Sequence, residues 1–131
     1  MANILVIDDD AQIREISRKS LERAGHHVLT AQDGEEGLDL YSHNKVDLVI
    51  TDILMPIKEG IEVIMQLKKW DPNVKIIAIS GGGRNDPDAY LKVARHLKVD
   101  RTMEKPFDLK SFLGAIEEVL LKVVNKPLNL T

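Results

Sequence analysis

The chain has 131 residues, a length that fits one domain with a real hydrophobic core. Apolar residues make up 44% and charged residues 30%, an ordinary balance for a soluble globular protein, and a net charge of -3 gives no general pull toward nucleic acid or anionic membrane. Cysteine is absent, which excludes disulfides, thiolate zinc sites and cysteine nucleophiles and suits a reducing, cytoplasmic setting. Met1-Ala2-Asn3 lacks the basic region of a signal peptide, and no apolar run approaches the roughly 20 residues needed to span a bilayer.

Ile4-Leu5-Val6-Ile7 is a continuous apolar run that predicts a buried strand ending in Asp8-Asp9-Asp10. A helix is expected over 11–24, with Ile13, Ile16, Leu21 and Ala24 on its inner face and Gly25 beyond its end. A shorter strand over 26–31 precedes a helix opened by Asp33-Gly34-Glu35-Glu36, with Leu38 and Tyr41 inward. Leu48-Val49-Ile50 then carries the chain to Asp52, and Pro56 closes the following turn. A run this short and β-rich reads as a strand buried on both faces.

The next helix runs from about Ile57 or Gly60 to Trp70, burying Ile61, Ile64 and Leu67 or Met65, and Asp71-Pro72-Asn73 breaks it. A strand over 74–79 stops at Ser80-Gly81-Gly82-Gly83, and a helix over about 87–97 presents Tyr90, Val93, Ala94 and Leu97. Arg101 to Glu104 forms a short strand closed by Lys105-Pro106. Asp108 caps the last helix, with Phe112, Ile116, Val119, Leu120 and Val123 inward. Five alternations of strand and helix, with no internal repeat, predict one α/β domain with a parallel sheet covered on both faces.

In such a sheet the loops after every strand lie on one edge, where ligands bind. Asp8-Asp9-Asp10, Asp52, Ser80 and Lys105 would share that rim. Converging carboxylates repel one another and raise one another's pKa unless a cation is present. Hard oxygen donors without His or Cys suit Mg²⁺. A cation, an ammonium, a hydroxyl and a spare carboxylate are what phosphoryl transfer to an aspartate requires.

Each residue also has a plainer reading. Asp52 alone reads equally as a turn or cap residue before Pro56, and Asp9 or Asp10 alone as a helix N-cap. Ser80 before three glycines reads as loop chemistry, and Lys105 before Pro106 as a solvated surface residue. The glycine run lacks the Gly-Lys-Ser/Thr of a P-loop, the four histidines lack metal spacing, and Trp70 reads as packing or surface. It is their order at four successive strand ends that favours chemistry.

Val6-Ile7-Asp8-Asp9-Asp10, Asp52-Ile53-Leu54-Met55-Pro56, Ile79-Ser80-Gly81 and Glu104-Lys105-Pro106-Phe107 resemble the motifs of the receiver domain of two-component response regulators, the CheY-like superfamily. The match covers nearly the whole chain, and a receiver domain over 1–124 with a tail or linker start over 125–131 is expected. The resemblance implies a flavodoxin-like (βα)5 fold with strand order 2-1-3-4-5. It implies that Asp52 accepts a phosphoryl group from a histidine kinase or phosphotransfer protein. Mg²⁺ would be held by Asp9 directly, Asp8 mainly through water, Asp52 and the backbone carbonyl of Leu54. Ser80 matches the hydroxyl drawn to the phosphate, and Lys105 the lysine that pairs with it.

The chain departs from the family's pattern at several points. The switch position on the last strand, usually aromatic, is Thr102, so any switch must use other groups. Gly81 replaces a common alanine, the 80–105 segment is a few residues longer than in compact members, and a common glycine before the last strand is missing from Leu97-Lys98-Val99-Asp100. Two residues after Asp52 and Ser80 stand Leu54 and Gly82, neither of which can orient an attacking water. Slow self-dephosphorylation is therefore expected. Leu54→Asn should speed it, and decay of the wild type within seconds in Mg²⁺ buffer would contradict it.

The expected function is a phosphorylation-controlled signalling switch that catalyses only its own phosphorylation and dephosphorylation. Its output would be a docked protein partner or a C-terminal output domain outside this chain. Direct nucleic-acid binding and membrane contact are not expected, and the chain would be a monomer or weak homodimer. The alternative is a receiver-like interaction module that ignores phosphate, favoured slightly by Thr102 and the glycine-rich loop but weighed against by the intact Asp8, Asp9, Asp52, Ser80 and Lys105 set. An aspartyl-phosphate phosphatase is disfavoured, because the chain has no room for a cap domain and Asp52 would be left unexplained.

Overall fold

The computed structural model describes residues 1–53, 57–80, 87–105 and 107–122, with 57–59 and 87–91 described at the level of the backbone. Ten elements alternate along the chain: β1 (Asn3–Ile7), α1 (Ala11–Arg23), β2 (His27–Ala31), α2 (Gly34–His43), β3 (Leu48–Asp52), α3 (Ile57–Trp70), β4 (Ile76–Ser80), α4 (Pro87–His96), β5 (Arg101–Glu104) and α5 (Leu109–Leu121). The strands form one parallel sheet in the order β2-β1-β3-β4-β5. This is the flavodoxin-like architecture expected.

Every residue of β3 and β4 is buried, as the continuous apolar runs demand of strands covered on both faces. Alternate strand residues feed two cores. Ile4, Val6, Leu48, Ile50, Ile77 and Ile79 pack with Leu21 of α1 and with Phe112, Ile116 and Val119 of α5. Leu5, Ile7, Val49 and Ile76 face the other way, toward Val63, Ile64 and Leu67 of α3 and Ala94 of α4, with Leu38 and Tyr41 of α2 at the margin.

Local chemistry fixes the helix ends. Asp10 caps α1 through hydrogen bonds from Gln12 N and Ile13 N, Asp33 caps α2 through Glu36 N, and Asp108 caps α5 through Ser111 N. Gly25, past the end of α1, has φ +97°, the left-handed conformation a glycine adopts without strain. His26, expected to open β2, precedes that strand and bridges instead. Its Nδ1 accepts from Ala2 N at 3.1 Å and its Nε2 lies 2.9 Å from Glu117 on α5.

Several expected faces need correction. On α1, Leu21 is buried and Ile13 half-buried, but Ile16 is 58% exposed and Ala24 is exposed, while Ser17 turns inward. Ile13 and Ile16 instead line a groove of about 460 Å³ with Phe107, Leu109 and Phe112. On α3, Leu67 rather than Met65 is buried, joined by Val63, and Ile61 is half-buried. Val93 of α4 is 44% exposed although Ala94 is buried. The side chain of Tyr90 and residue Val123 lie outside the described side chains. Strand β4 starts two residues later than expected, because Asp71 holds Asn73 N and Val74 N in a turn. Trp70 stacks on Tyr41, with ring centroids 6.2 Å apart.

Candidate functional site

Because all five strands are parallel, their carboxyl ends lie along one edge. The chain reverses direction of winding between β1 and β3, where a crevice for ligands opens. Asp8 directly follows β1 and Asp52 ends β3 beside it. Ser80, expected just past its strand, is the last residue of β4, and Lys105 follows β5.

The backbone positions these side chains tightly. Asp8 N donates to Ala31 O at 3.1 Å and Lys105 N to Ser80 O at 2.8 Å, so the strand ladders extend into the rim. Asp8 Oδ1 accepts from Asp10 N at 2.9 Å, and the Asp8 carbonyl accepts from Arg14 Nη1 at 2.6 Å. Arg14 was not singled out in the sequence. Its only signal is a cation in the first turn of a helix that starts at the rim.

Lys105 brings the site together. Its Nζ donates to Asp8 Oδ2 at 2.9 Å and to Asp52 Oδ2 at 3.0 Å, joining positions 97 and 53 residues away. Asp8 and Asp52 are only 2% and 5% exposed, whereas Asp9 is exposed. Burial pushes the Asp8 carboxyl above its ordinary pKa, and the Asp52 charge adds to this against the opposing pull of Lys105 and Asp10 N. Burial also opposes the charge on Lys105, yet hydrogen bonding to Asp8 and the Asp52 carboxylate together hold its pKa above the usual lysine value. One ammonium shared between two carboxylates gains from both, while Asp8 receives only part of it.

Carboxylate oxygens of Asp8, Asp9 and Asp52 lie within 4.8 Å of one another, the one such acidic or histidine cluster among the described residues. Three hard oxygen donors at the mouth of a crevice fit Mg²⁺, which takes few protein ligands and keeps several waters. Ser80 Oγ is fully buried and has no hydrogen-bond partner among the described residues. An orphaned hydroxyl this deep is uncommon in folded proteins and fits a donor awaiting an oxygen-rich group. The acidic pocket thus suits both Mg²⁺ and an aspartyl phosphate. Asp10, by contrast, is used as the α1 cap.

Thr102 lies on β5, half-buried, and its Oγ1 is 3.4 Å from Arg95 Nη1 of α4. Leu54 and the glycines 81–83, including Gly82, lie outside the described residues.

Fold and site together define a class. The sequence profile of the response regulator receiver domain matches residues 4–117, and the chain belongs to that family, a component of two-component signalling. It is 35% identical over 117 residues to the response regulator MprA of Mycobacterium sp. (strain KMS), covering 89% of this chain and 50% of that protein. The response regulator receiver protein CpdR of Brucella abortus is 32% identical, with 92% of this chain and 98% of CpdR covered. The response regulator TrrA of Thermotoga maritima, solved in complex with Mg²⁺ and BeF, superposes with a TM-score of 0.76 at 30% identity over 91% of this chain and 99% of that one. The chain spans about half the length of the MprA relatives. No helix among the described residues is long and apolar enough to cross a membrane.

Proposed function

We propose that residues 1–124 form a phosphoacceptor receiver domain, with 125–131 a tail or linker, in which Asp52 takes a phosphoryl group from a histidine kinase or phosphotransfer protein. The observation that carries this reading is the Lys105 ammonium held between Asp8 and Asp52, with the buried Ser80 hydroxyl, unpartnered among the described residues, at the end of β4. A carboxylate oxygen of Asp52 bonds to phosphorus as the P–N bond of a phosphohistidine breaks, and the released imidazole takes a proton from solvent. Asp8, Asp9 and Asp52, with the Leu54 carbonyl, would hold Mg²⁺, and a bound divalent cation supplies charge that neutralises the transferred oxygens.

The product adds about -1.5 to -2 charge and new acceptor oxygens at Asp52. Lys105 then exchanges its Asp52 contact for a phosphoryl oxygen, and Ser80 Oγ gains the acceptor it lacks. Both groups sit on the β4–β5 half of the rim, so the rearrangement reaches β5, α4 and Thr102, where a partner or output domain would read it. The domain works in the cytoplasm as a monomer or weak dimer and catalyses only its own phosphate chemistry. It needs no contact with nucleic acid or membrane.

Intact-mass spectrometry after incubation with acetyl phosphate and Mg²⁺ tests this, comparing wild type with Asp52→Ala. One acid-labile phosphate on the wild type alone is expected. No adduct on a folded wild type would support the phosphate-independent interaction module, which the non-aromatic Thr102 favours. Phosphate on both proteins would point to another aspartate.

A further inference from the structure

We infer that Gly60, in the first turn of α3, is a positioning residue for Asp52. The inference rests on the reading of Asp52 as the acceptor. A glycine inside a helix weakens it relative to alanine, and Gly60 has no positive φ that would call for one. What calls for glycine is space. A Cβ at position 60 would lie 2.5 Å from Ile53 Cα and 2.9 Å from both Ile53 C and O. These are backbone atoms of the residue that directly follows Asp52, so no side chain can swing aside.

Ile53 is held on its other side as well. It is fully buried, and its N–H donates to Ile79 O on β4 at 2.9 Å. The backbone after the acceptor is therefore gripped between the bare face of α3 and the neighbouring strand. Ordinary contact begins at 3.4 Å, so an added methyl at 2.5 Å requires a separation of about 0.9 Å. Val63, Ile64 and Leu67 anchor α3 in the core and resist its lifting. With both sides braced the strain falls on the Ile53 backbone as well as on α3, and any movement of Ile53 carries Asp52 away from the 3.0 Å contact with Lys105 and from the carboxylates of Asp8 and Asp9.

A second glycine supplies the control. A Cβ at Gly37 of α2 would lie 2.4 Å from Ile7 Cδ1 and 2.8 Å from Ile7 Cγ1, as crowded a position, but there the obstacle is a side chain, which can change rotamer, and not backbone. Gly37→Ala should cost stability and leave the rim where it is. Gly114 of α5 has nothing within 4 Å of an added Cβ, so Gly114→Ala is a stabilising background in which both variants can be made.

The experiment measures three quantities in that background: Mg²⁺ affinity by titration calorimetry, the rate of phosphorylation by acetyl phosphate, and the melting temperature. Gly60→Ala is expected to weaken Mg²⁺ binding severalfold and to slow phosphorylation about 10- to 100-fold, as misplacement of a reacting group by roughly 1 Å does. Gly37→Ala should lower the melting temperature with Mg²⁺ affinity and rate unchanged. A folded Gly60→Ala chain with wild-type affinity and rate overturns the inference. So do equal losses in the two variants, and so does a Gly60→Ala chain that fails to fold even in the stabilised background. If the parent chain takes neither Mg²⁺ nor phosphate, the acceptor reading itself fails and this inference falls with it.

Discussion

At the scale of single residues, burial acts differently on the groups of the rim. Asp8 shows it most clearly. Its folded pKa lies above the ordinary 3.8, chiefly because of burial. Between 3.8 and the raised value the folded protein keeps a proton that the unfolded chain has released, so stability falls as pH rises through that window. In EDTA, urea unfolding across this range should show wild type losing stability relative to Asp8→Asn as pH rises. Mg²⁺ should raise the unfolding midpoint of the wild type far more than that of the variant. A parallel pH response in the two proteins would contradict the assignment. Lys105 works in the opposite sense. Its pKa is raised above 10.5, so its contribution is fully present below that value and is lost as pH rises through the folded one. Ser80 offers a sharper separation of stability from function. Ser80→Ala removes a buried hydroxyl without a partner among the described residues, so the unmodified protein should be unchanged or up to about 1 kcal/mol more stable. Phosphorylation should nevertheless slow and the phosphorylated form lose stability, measured by mass spectrometry and thermal unfolding. A clearly destabilised Ser80→Ala would mean that the hydroxyl already has a structural partner.

At the scale of elements, three consecutive aspartates divide their labour. The sequence left Asp9 and Asp10 open between a cap and a ligand. The geometry gives the cap to Asp10 and leaves Asp9 in the carboxylate cluster. Asp10→Ala should therefore cost about 1 kcal/mol of stability and spare Mg²⁺ affinity. Asp9→Ala should do the reverse, read by urea unfolding and titration calorimetry. The central strands were the most legible elements, because the continuous apolar runs Leu48-Val49-Ile50 and Ile76-Ile77-Ala78-Ile79 are what burial on both faces demands, as in β3 and β4. Helix faces were less so. Ile16 and Val93 fall on the apolar stripes of α1 and α4 yet are exposed, because periodicity marks an apolar face without saying whether anything covers it. The start of β4 was misread for a different reason: the Asp71 side chain draws Asn73 N into a turn, and a β-rich residue such as Val74 does not reveal that.

At the scale of the whole molecule, the site exists only because a parallel sheet gathers distant loops on one edge. Strand-end residues were legible as a set from the alternation of elements, but the strand order was not. It was implied only by the resemblance to receiver domains, since hydrophobic period does not say which strands are neighbours. The bridge from Lys105 to Asp8 and Asp52 depends on that order, as does the bracing of Ile53 by Gly60, which leaves no mark in the sequence beyond a glycine in a helix. The same geometry places Ser80 and Lys105 on the β4–β5 half of the rim and sets Thr102 of β5 against Arg95 of α4. The central claim is that Asp52, not Asp8 or Asp9, carries the phosphoryl group. Borohydride reduction of the acetyl phosphate-treated protein converts an aspartyl phosphate to homoserine, and peptide mass mapping then locates it. Homoserine is expected at position 52 alone, formed only when Mg²⁺ is present. Homoserine at position 8 or 9, or none in a folded protein that has gained phosphate mass, would contradict it.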